Sequence, residues 1–189
     1  METPGRPCLV RLARREDLAS IFAIYDEQVL HGVATFDTEC KSGSEREEWF
    51  AKHAPERHPV IVAVDGGSGG EVAGWASLSA WSERCAYARA AEVSVYVRGD
   101  RRGGGVGTLL MGELIARARA NGLGVLLARI VAGNPASVRL HERFGFGTIG
   151  VMRRVGEKFG RVLDVHLMDL QLDGVENGEW KMESGGRKS

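Results

Sequence analysis

Cysteine, net charge and long apolar runs are all scarce in this sequence. The three cysteines, Cys8, Cys40 and Cys85, are odd in number and lack metal-ligand spacing, which argues against a disulfide framework and a cysteine metal site. The sequence has 25 lysine and arginine residues and 25 aspartate and glutamate residues, so its formal net charge is zero. No overall positive electrostatic field would recruit nucleic acid or an anionic membrane. We expect reduced thiols, a cytoplasmic location, and no nucleic-acid, membrane or metal partner.

Apolar stretches are too short for a membrane span. None approaches the roughly 18 residues that cross a bilayer, and arginines near the start stand where a signal peptide would have its apolar core. The 189 residues, 43% hydrophobic and 26% charged, are typical of a globular domain with a substantial core. We expect one domain over residues 1–172 and a polar, disordered tail over residues 173–189.

Hydrophobic spacing predicts a mixed α/β domain. Strand-like runs cover residues 8–13, 60–64, 72–79, 92–97, 123–131 and 162–172, and the glycines at 66–70 predict a hairpin. Four helices are predicted from Asp17, after a Ser44–Glu47 capping box, from Val106 to Asn121-Gly122, and from Pro135 with Asn134 as its N-cap. The order β-α-α-β-β-β-α-β-α-β indicates a single α/β domain.

Residues 102–107, Arg-Gly-Gly-Gly-Val-Gly, are the most informative motif. They connect the apolar strand at 92–97 to an amphipathic helix. Glycines allow a ligand to approach the backbone, and the first amides of a helix have no internal partners and carry the positive end of its dipole. This turn is therefore typical of a phosphate site, with Arg102 as an added charge.

The flanking residues discriminate between three kinds of phosphate loop. A P-loop ends in Gly-Lys-Ser/Thr, but residues 106–108 contain no lysine. A Rossmann loop needs a third glycine, where this chain has Thr108 or Leu110, and an acidic residue about 20 positions later, where it has an apolar run. The remaining pattern is RxxGxG, whose fixed positions are Arg102, Gly105 and Gly107. A flexible turn without a ligand would explain the glycines alone.

The RxxGxG pattern between strand and helix resembles the pyrophosphate motif of the GNAT acyl-CoA N-acyltransferases. Other blocks over residues 9–172 resemble one branch, the phosphinothricin and methionine sulfone/sulfoximine N-acetyltransferases. These blocks include Ala34-Thr35-Phe36, Gly74-Trp75-Ala76, residues 92–97, Leu140-His141-Glu142 and residues 155–161. The resemblance implies a single-domain GNAT fold with a mixed central sheet, a splayed strand pair and flanking helices. It further implies acetyl-CoA as co-substrate, a small-molecule amine acceptor and a homodimer.

Some positions depart from that branch. Ala90 stands where the branch has threonine, Ala91 where it has a small β-branched residue, Val162 where it has tryptophan, and Pro135 follows Asn134 unusually. These positions lie beside the acceptor pocket that the resemblance implies. The identity of the acceptor is therefore less constrained than the type of reaction.

The resemblance assigns catalytic roles to Glu92 and His141. Acetyl transfer needs a neutral amine, so Glu92 would take the amine's proton directly or through a water. His141 lies where many GNAT enzymes have a tyrosine near the thioester sulfur, and it could protonate the thiolate or position water or CoA. The alternatives are an ion-paired or solvated glutamate and a histidine that packs within its helix.

The resemblance also gives two binding sets. The set for acetyl-CoA is Val95, Tyr96, Val97, Arg102, Gly103, Gly104, Gly105, Val106, Gly107, Thr108 and Asn134. The set for the acceptor is Phe36, Trp81, Ser82, Glu83, Arg84, Tyr87, Glu92, Val93 and Ser94. Arg84 among aromatic residues suits a small zwitterion, because guanidinium pairs with a carboxylate through two bonds, whereas a polyamine would need clustered acids. The ring of Tyr96 is expected to pack in the strand, and Trp81 and Tyr87 could instead serve the core or a dimer contact.

Two other functions remain open at this stage. Acetylation of protein N-termini or lysines would need a long open groove, against which Trp81 and Tyr87 argue weakly. A regulatory module that binds CoA without turnover would not need Glu92.

Overall fold

A seven-stranded sheet forms the centre of the computed structural model, which describes residues 8–66 and 70–173. Its strands in this part of the chain are β1 (Cys8–Leu12), β2 (Val60–Asp65), β3 (Val72–Ala80), β4 (Ala90–Val97), β5 (Val125–Val131), β6 (Gly147–Lys158) and β7 (Arg161–Gln171). The helices described are α1 (Leu18–His31), α2 (Gly43–Ala51), α3 (Val106–Ala120) and α4 (Pro135–Arg143). The strand order is β1-β2-β3-β4-β5-β7-β6, and β4 with β5 is the parallel pair. The mixed α/β fold with flanking helices is confirmed.

Helices cover both faces of this sheet. The buried side chains of β2 alternate: Ile61 and Ala63 join the core under α3, whereas Val60, Val62 and Val64 join the core under α1. Burial on both faces explains why β2 is a continuous apolar run rather than an alternating one. Among the described helices, none is long and apolar enough to cross a membrane.

The sheet divides between β4 and β5. Their parallel pairing is recorded only from Ala90–Val125 to Glu92–Leu127. Beyond that point β4 stays paired with β3 as far as Val97, and β5 stays paired with β7 as far as Val131. The two strands therefore separate, which is the expected splayed pair.

The predicted start of α2 is wrong by two residues. Its N-cap is Ser42, whose hydroxyl accepts from the Glu45 amide while Glu45 accepts from the Ser42 amide at 2.7 Å. Two Ser-x-x-Glu pairs overlap here, at 42–45 and 44–47. The later pair does not form the cap because its glutamate, Glu47, accepts from Arg15 at 2.9 Å instead. Next to the earlier pair, Arg46 donates to the Lys41 carbonyl.

Strand β6 was missed by the sequence prediction, which placed one closing strand at 162–172. Its three glycines and several exposed polar residues leave no clean alternation, and its pairing with β7 is interrupted by two irregularities. It is an edge strand and mostly exposed, so burial does not impose a period-two pattern. The predicted tail, residues 173–189, lies outside the described residues except for Asp173. Residues 67–69 of the predicted glycine hairpin also lie outside them.

Lys158 ties the β6–β7 hairpin to the rest of the fold. Its side chain is 3% exposed, and its ammonium donates to the carbonyls of Gln28 and Thr35, both at 2.9 Å. The neighbouring Phe159 is 57% exposed. Burial lowers the pKa of Lys158, and the Asp37 carboxylate partly offsets this. The cation also suits its place, because Gln28 lies near the C-terminal, negative end of α1.

The substitution Lys158→Met should lower the free energy of unfolding by about 1–3 kcal/mol, because methionine keeps the apolar stem but loses two charge-assisted hydrogen bonds. Chemical denaturation at neutral pH measures this. The exposed Lys52→Met is the matched control and should stay within about 0.5 kcal/mol of the parent. Equal stability of the two variants would contradict this role of Lys158.

Candidate active site

A cavity of about 590 Å³ lies in the gap between β4 and β5. Its other walls come from the loop between α1 and α2, the start of α4, and the β6–β7 hairpin. The polar residues that line it are Tyr25, Thr35, Asp37, Ser79, Glu92, Ser94, Tyr96, Arg129, Asn134, Ser137 and His141. A pocket of this size, with convergent polar groups on rigid strands, is typical of a small-molecule site.

Glu92 is held by an arginine that sequence reasoning missed. The Nε of Arg129, on β5, donates to Glu92 Oε1 at 2.7 Å, and a second guanidinium nitrogen pairs with Oε2. Glu92 is the last β4 residue that pairs with β5, opposite Leu127, and Arg129 lies two residues further along β5. The Glu92 side chain is 21% exposed and that of Arg129 is 52% exposed. Glu92 thus faces the cavity as an ion-paired carboxylate.

His141 is buried in the cavity wall as a neutral imidazole. Its Nδ1 lies 2.8 Å from the Ser137 carbonyl, which can only accept, so the proton is assigned to Nδ1. Its ring packs edge-on against Phe146. Burial lowers its pKa, and the bond to Ser137 only partly opposes this. Nε2 is therefore left as a hydrogen-bond acceptor.

A polar cluster from α1 and the loop that follows it forms another wall of the cavity. The Tyr25 hydroxyl lies 2.7 Å from Thr35 Oγ1 and donates to Asp37 Oδ2 at 2.8 Å; Lys41 pairs with the same carboxylate at 2.9 Å. Burial raises the pKa of Asp37, but the bonds from Lys41 and Tyr25 outweigh it and lower the pKa overall. Burial also raises the pKa of Tyr25 far above neutral. This wall carries no free charge, because its single carboxylate is neutralised.

Two aromatic contacts shape the same wall. Tyr96 stacks on Trp75, with ring centroids 4.8 Å apart, and burial raises its pKa as well. Phe36 lies over Gly156 of β6, where any Cβ would overlap its ring. Phe36 can occupy this position only because residue 156 has no side chain.

The glycine motif lies beyond the C-terminal end of β4. Gly103 and Gly105 have φ angles of +79° and +84°, which a residue with a Cβ adopts only under strain. Gly105 is the N-cap of α3, and its carbonyl accepts from Leu109, so the amides of residues 106–108 precede the first intrahelical bond. Arg102 donates to the Val97 carbonyl at 3.2 Å and lies 3.7 Å from Glu27. The turn thus presents amides, a helix N-terminus and a guanidinium, which fit a phosphate group.

Asn134 caps α4 as predicted, with its Oδ1 accepting from the Ser137 amide at 3.1 Å. Because that oxygen serves the helix, its Nδ2 group is the part suited to a ligand at the cavity. Among the residues that the structure describes, no group of three or more His, Cys, Asp or Glu could hold a metal ion.

The structure brings together only part of the expected acceptor set. The cavity is lined by four members of that set, Phe36, Glu92, Val93 and Ser94. It is also lined by Val95, Tyr96 and Asn134 of the acetyl-CoA set and by His141 of the catalytic pair. The remaining members lie elsewhere: Ser82, Glu83, Arg84 and Tyr87 line a separate, shallower pocket of about 220 Å³. Trp81 lines neither pocket, and its ring centroid lies 5.5 Å from the Arg129 guanidinium carbon. Arg84 therefore does not reach the cavity within this chain.

Six polar cavity residues were not assigned a site role from sequence: Tyr25, Thr35, Asp37, Ser79, Arg129 and Ser137. Of these, Arg129 had a usable signal, because it is a lone charge within the apolar run 125–131. A charged side chain at such a position must face either solvent or a group of opposite charge. The others become adjacent only through folding.

Comparisons with known proteins agree with this geometry. Residues 13–146 match the Acetyltransferase (GNAT) family. The chain is 43% identical over 164 residues to an L-methionine sulfoximine/L-methionine sulfone acetyltransferase of Pseudomonas aeruginosa, covering 87% of this chain and 94% of that one. It is 38% identical, with the same coverages, to an L-amino acid N-acyltransferase of Escherichia coli.

A solved structure is similar over the same region. It is a GNAT superfamily phosphinothricin acetyltransferase from Sinorhizobium meliloti in complex with acetyl-CoA, with a TM-score of 0.82 and 37% identity over 87% of this chain and 88% of that one. The glycine turn and the splayed strands agree with these similarities. The chain belongs to the GNAT acetyltransferase family and is an acyltransferase related to the phosphinothricin and methionine sulfoximine N-acetyltransferases.

Proposed function

We propose that this protein transfers acetyl from acetyl-CoA to the amino group of a small, amino-acid-like acceptor in the cytoplasm. The observation that carries the proposal is the cavity in the β4–β5 gap, which has Glu92 on one strand and the glycine turn at the end of the same strand. Methionine sulfone, methionine sulfoximine and phosphinothricin are the leading acceptors, because the similar proteins are named for them.

The residues around the gap fit acetyl-CoA. Arg102 and the amides of residues 103–108 would hold its pyrophosphate, and Asn134 with the backbone of residues 95–97 would hold the pantetheine arm. When bound, it supplies an acetyl thioester. A backbone N–H of β4 in the unpaired edge would stabilise negative charge on the acetyl oxygen.

Glu92 would act as the general base, and the neutral imidazole of His141 would accept a hydrogen bond. An α-ammonium group has a pKa of roughly 8 or above, so one proton must leave before its nitrogen can attack. Glu92 takes that proton directly or through a water. His141, with its proton on Nδ1, has none on Nε2 to give to the leaving thiolate and would instead accept a hydrogen bond there from a water. The thiolate would take up a proton to replace the second one that the attacking nitrogen loses as the C–S bond breaks.

The acceptor class is tested by thiol release from acetyl-CoA with a panel of amines. The panel contains methionine sulfone, methionine sulfoximine, phosphinothricin, common amino acids, a polyamine and a peptide. We expect turnover with the first three and little with the polyamine, because the two carboxylates of the cavity, Asp37 and Glu92, are each already paired with a cation. Activity with the peptide alone would replace this proposal with protein acetylation, and acetyl-CoA binding without transfer would replace it with a regulatory role.

The substitution Glu92→Gln should lower kcat about 100- to 1,000-fold near neutral pH while leaving the KM for acetyl-CoA nearly unchanged. The loss should shrink as the pH rises, because a growing fraction of the acceptor is then already neutral. Steady-state rates across pH measure both effects. Glu113→Gln, which also breaks an arginine pair but on the surface of α3, is the control. Unchanged turnover of the Glu92 variant at every pH would exclude the base role.

We also propose that the protein is a homodimer through the edge of the sheet formed by β6. Large apolar side chains are exposed along this hairpin: Ile149, Val151, Val155, Phe159 and Val162. Exposed apolar groups along an unpaired edge strand favour association. Met152 and Val155 of the same strand also line the cavity, so this contact would lie next to the site.

The substitution Val151→Glu should convert the dimer into a monomer at micromolar concentration, because it places a charge in the apolar contact. Light scattering should give twice the 20.5 kDa chain mass for the parent protein and the single mass for the variant. Leu9→Glu, an exposed apolar residue on the opposite edge strand β1, is the control and should stay dimeric. A monomeric parent protein would refute the proposal.

A further inference from the structure

Arg129 is the one permanently positive side chain among the described residues that line the cavity. It lies on β5 two residues past Leu127, the last β5 residue paired with β4, and so projects where the strands have separated. Its guanidinium is engaged through two nitrogens by Glu92 and packs near the Trp81 ring. Half of its side chain remains exposed, so its position permits exchange of partners without rearrangement of the core.

The pairing has a chemical cost for the proposed reaction. Both Glu92 oxygens are engaged by the Arg129 guanidinium, one by Nε at 2.7 Å and the other by a second nitrogen. An acceptor amine that approaches either oxygen must therefore compete with a charge-assisted hydrogen bond. The base therefore needs something that competes for the guanidinium.

We propose that Arg129 binds the carboxylate, or the equivalent acidic group, of the acceptor, and that this exchange frees Glu92 to act as the base. The inference rests on the proposed function. The internal Arg129–Glu92 pair is replaced by two pairs of opposite charges: Arg129 with the acceptor's carboxylate, and Glu92 with its ammonium. The exchange makes and breaks no covalent bond and leaves the net charge of the cavity unchanged. One proton then passes from the ammonium to Glu92.

A zwitterion is the ligand that satisfies both ends of this pair. An amine without an acidic group could approach Glu92 but would leave Arg129 in competition for the same carboxylate. The acceptor's acid is thus needed for the chemical step as well as for binding. Arg129 is favoured over Arg84 as the anchor because Arg84 lines the shallower pocket instead.

The test compares two acceptors in each variant: methionine sulfone and the amine that remains when its carboxylate is removed. The parent protein should prefer methionine sulfone by roughly 100-fold or more in kcat/KM. In Arg129→Gln, the value for methionine sulfone should fall about 100-fold, whereas the value for the bare amine should be unchanged or higher, because Glu92 is no longer restrained. The basicity of each amine does not depend on the variant. A change in the ratio of the two kcat/KM values, methionine sulfone over bare amine, therefore reports on the protein alone.

Three further variants make the result specific. Arg129→Lys keeps the charge without the planar fork and should restore part of the preference. Arg119→Gln, an exposed arginine on α3, should behave as the parent protein. Arg84→Gln should keep the preference; if it loses the preference while Arg129→Gln retains it, the anchor is Arg84 and the inference is wrong.

Binding separates this inference from the proposed function. Calorimetry should show that Arg129→Gln binds acetyl-CoA as the parent protein does but binds methionine sulfone more weakly in the presence of CoA. Equal loss of activity with both acceptors would overturn the inference and indicate a structural role. Failure of the parent protein to acetylate any amino acid would instead refute the proposed function.

Discussion

The separation of β4 from β5 is the constraint on which the rest of the site depends. Each strand has a second neighbour that holds it: β3 pairs with β4 as far as Val97, and β7 pairs with β5 as far as Val131. The two strands can therefore diverge after Glu92 without either losing its place in the sheet. The backbone edges that face the gap have polar groups that require partners, so the gap favours water or a ligand over apolar packing. The cavity follows from this topology.

Charge within the cavity is balanced almost completely. Asp37 is neutralised by Lys41, His141 is kept neutral by burial, and Glu92 is matched by Arg129. Such balance lowers the cost of keeping ionisable groups in a half-buried place. It also means that a ligand with a single charge disturbs the site, whereas one with both charges can be accommodated by a change of partners.

Local signals were the part of this structure that sequence could predict. Asn134 with Pro135, the glycine turn with positive φ angles, and the end of α3 at Asn121 all depend on residues a few positions apart. Partners far apart in the chain were not predictable in this way. Arg129 meets Glu92 only when β5 is laid beside β4, and Lys158 is buried only because the hairpin folds back onto α1. Arg84, although close to Glu92 in sequence, faces another pocket because the chain turns before β4 begins.

Phe36 and Gly156 show how the size of the pocket is controlled. The ring of Phe36 forms part of the wall, and it lies where a side chain on residue 156 would have to be. Even alanine at 156 would displace the ring, although residue 156 itself is not among those that line the cavity. Evolution of a different acceptor range can therefore begin on the outer hairpin, by a mutation that alters the shape of the wall while every reacting group keeps its position.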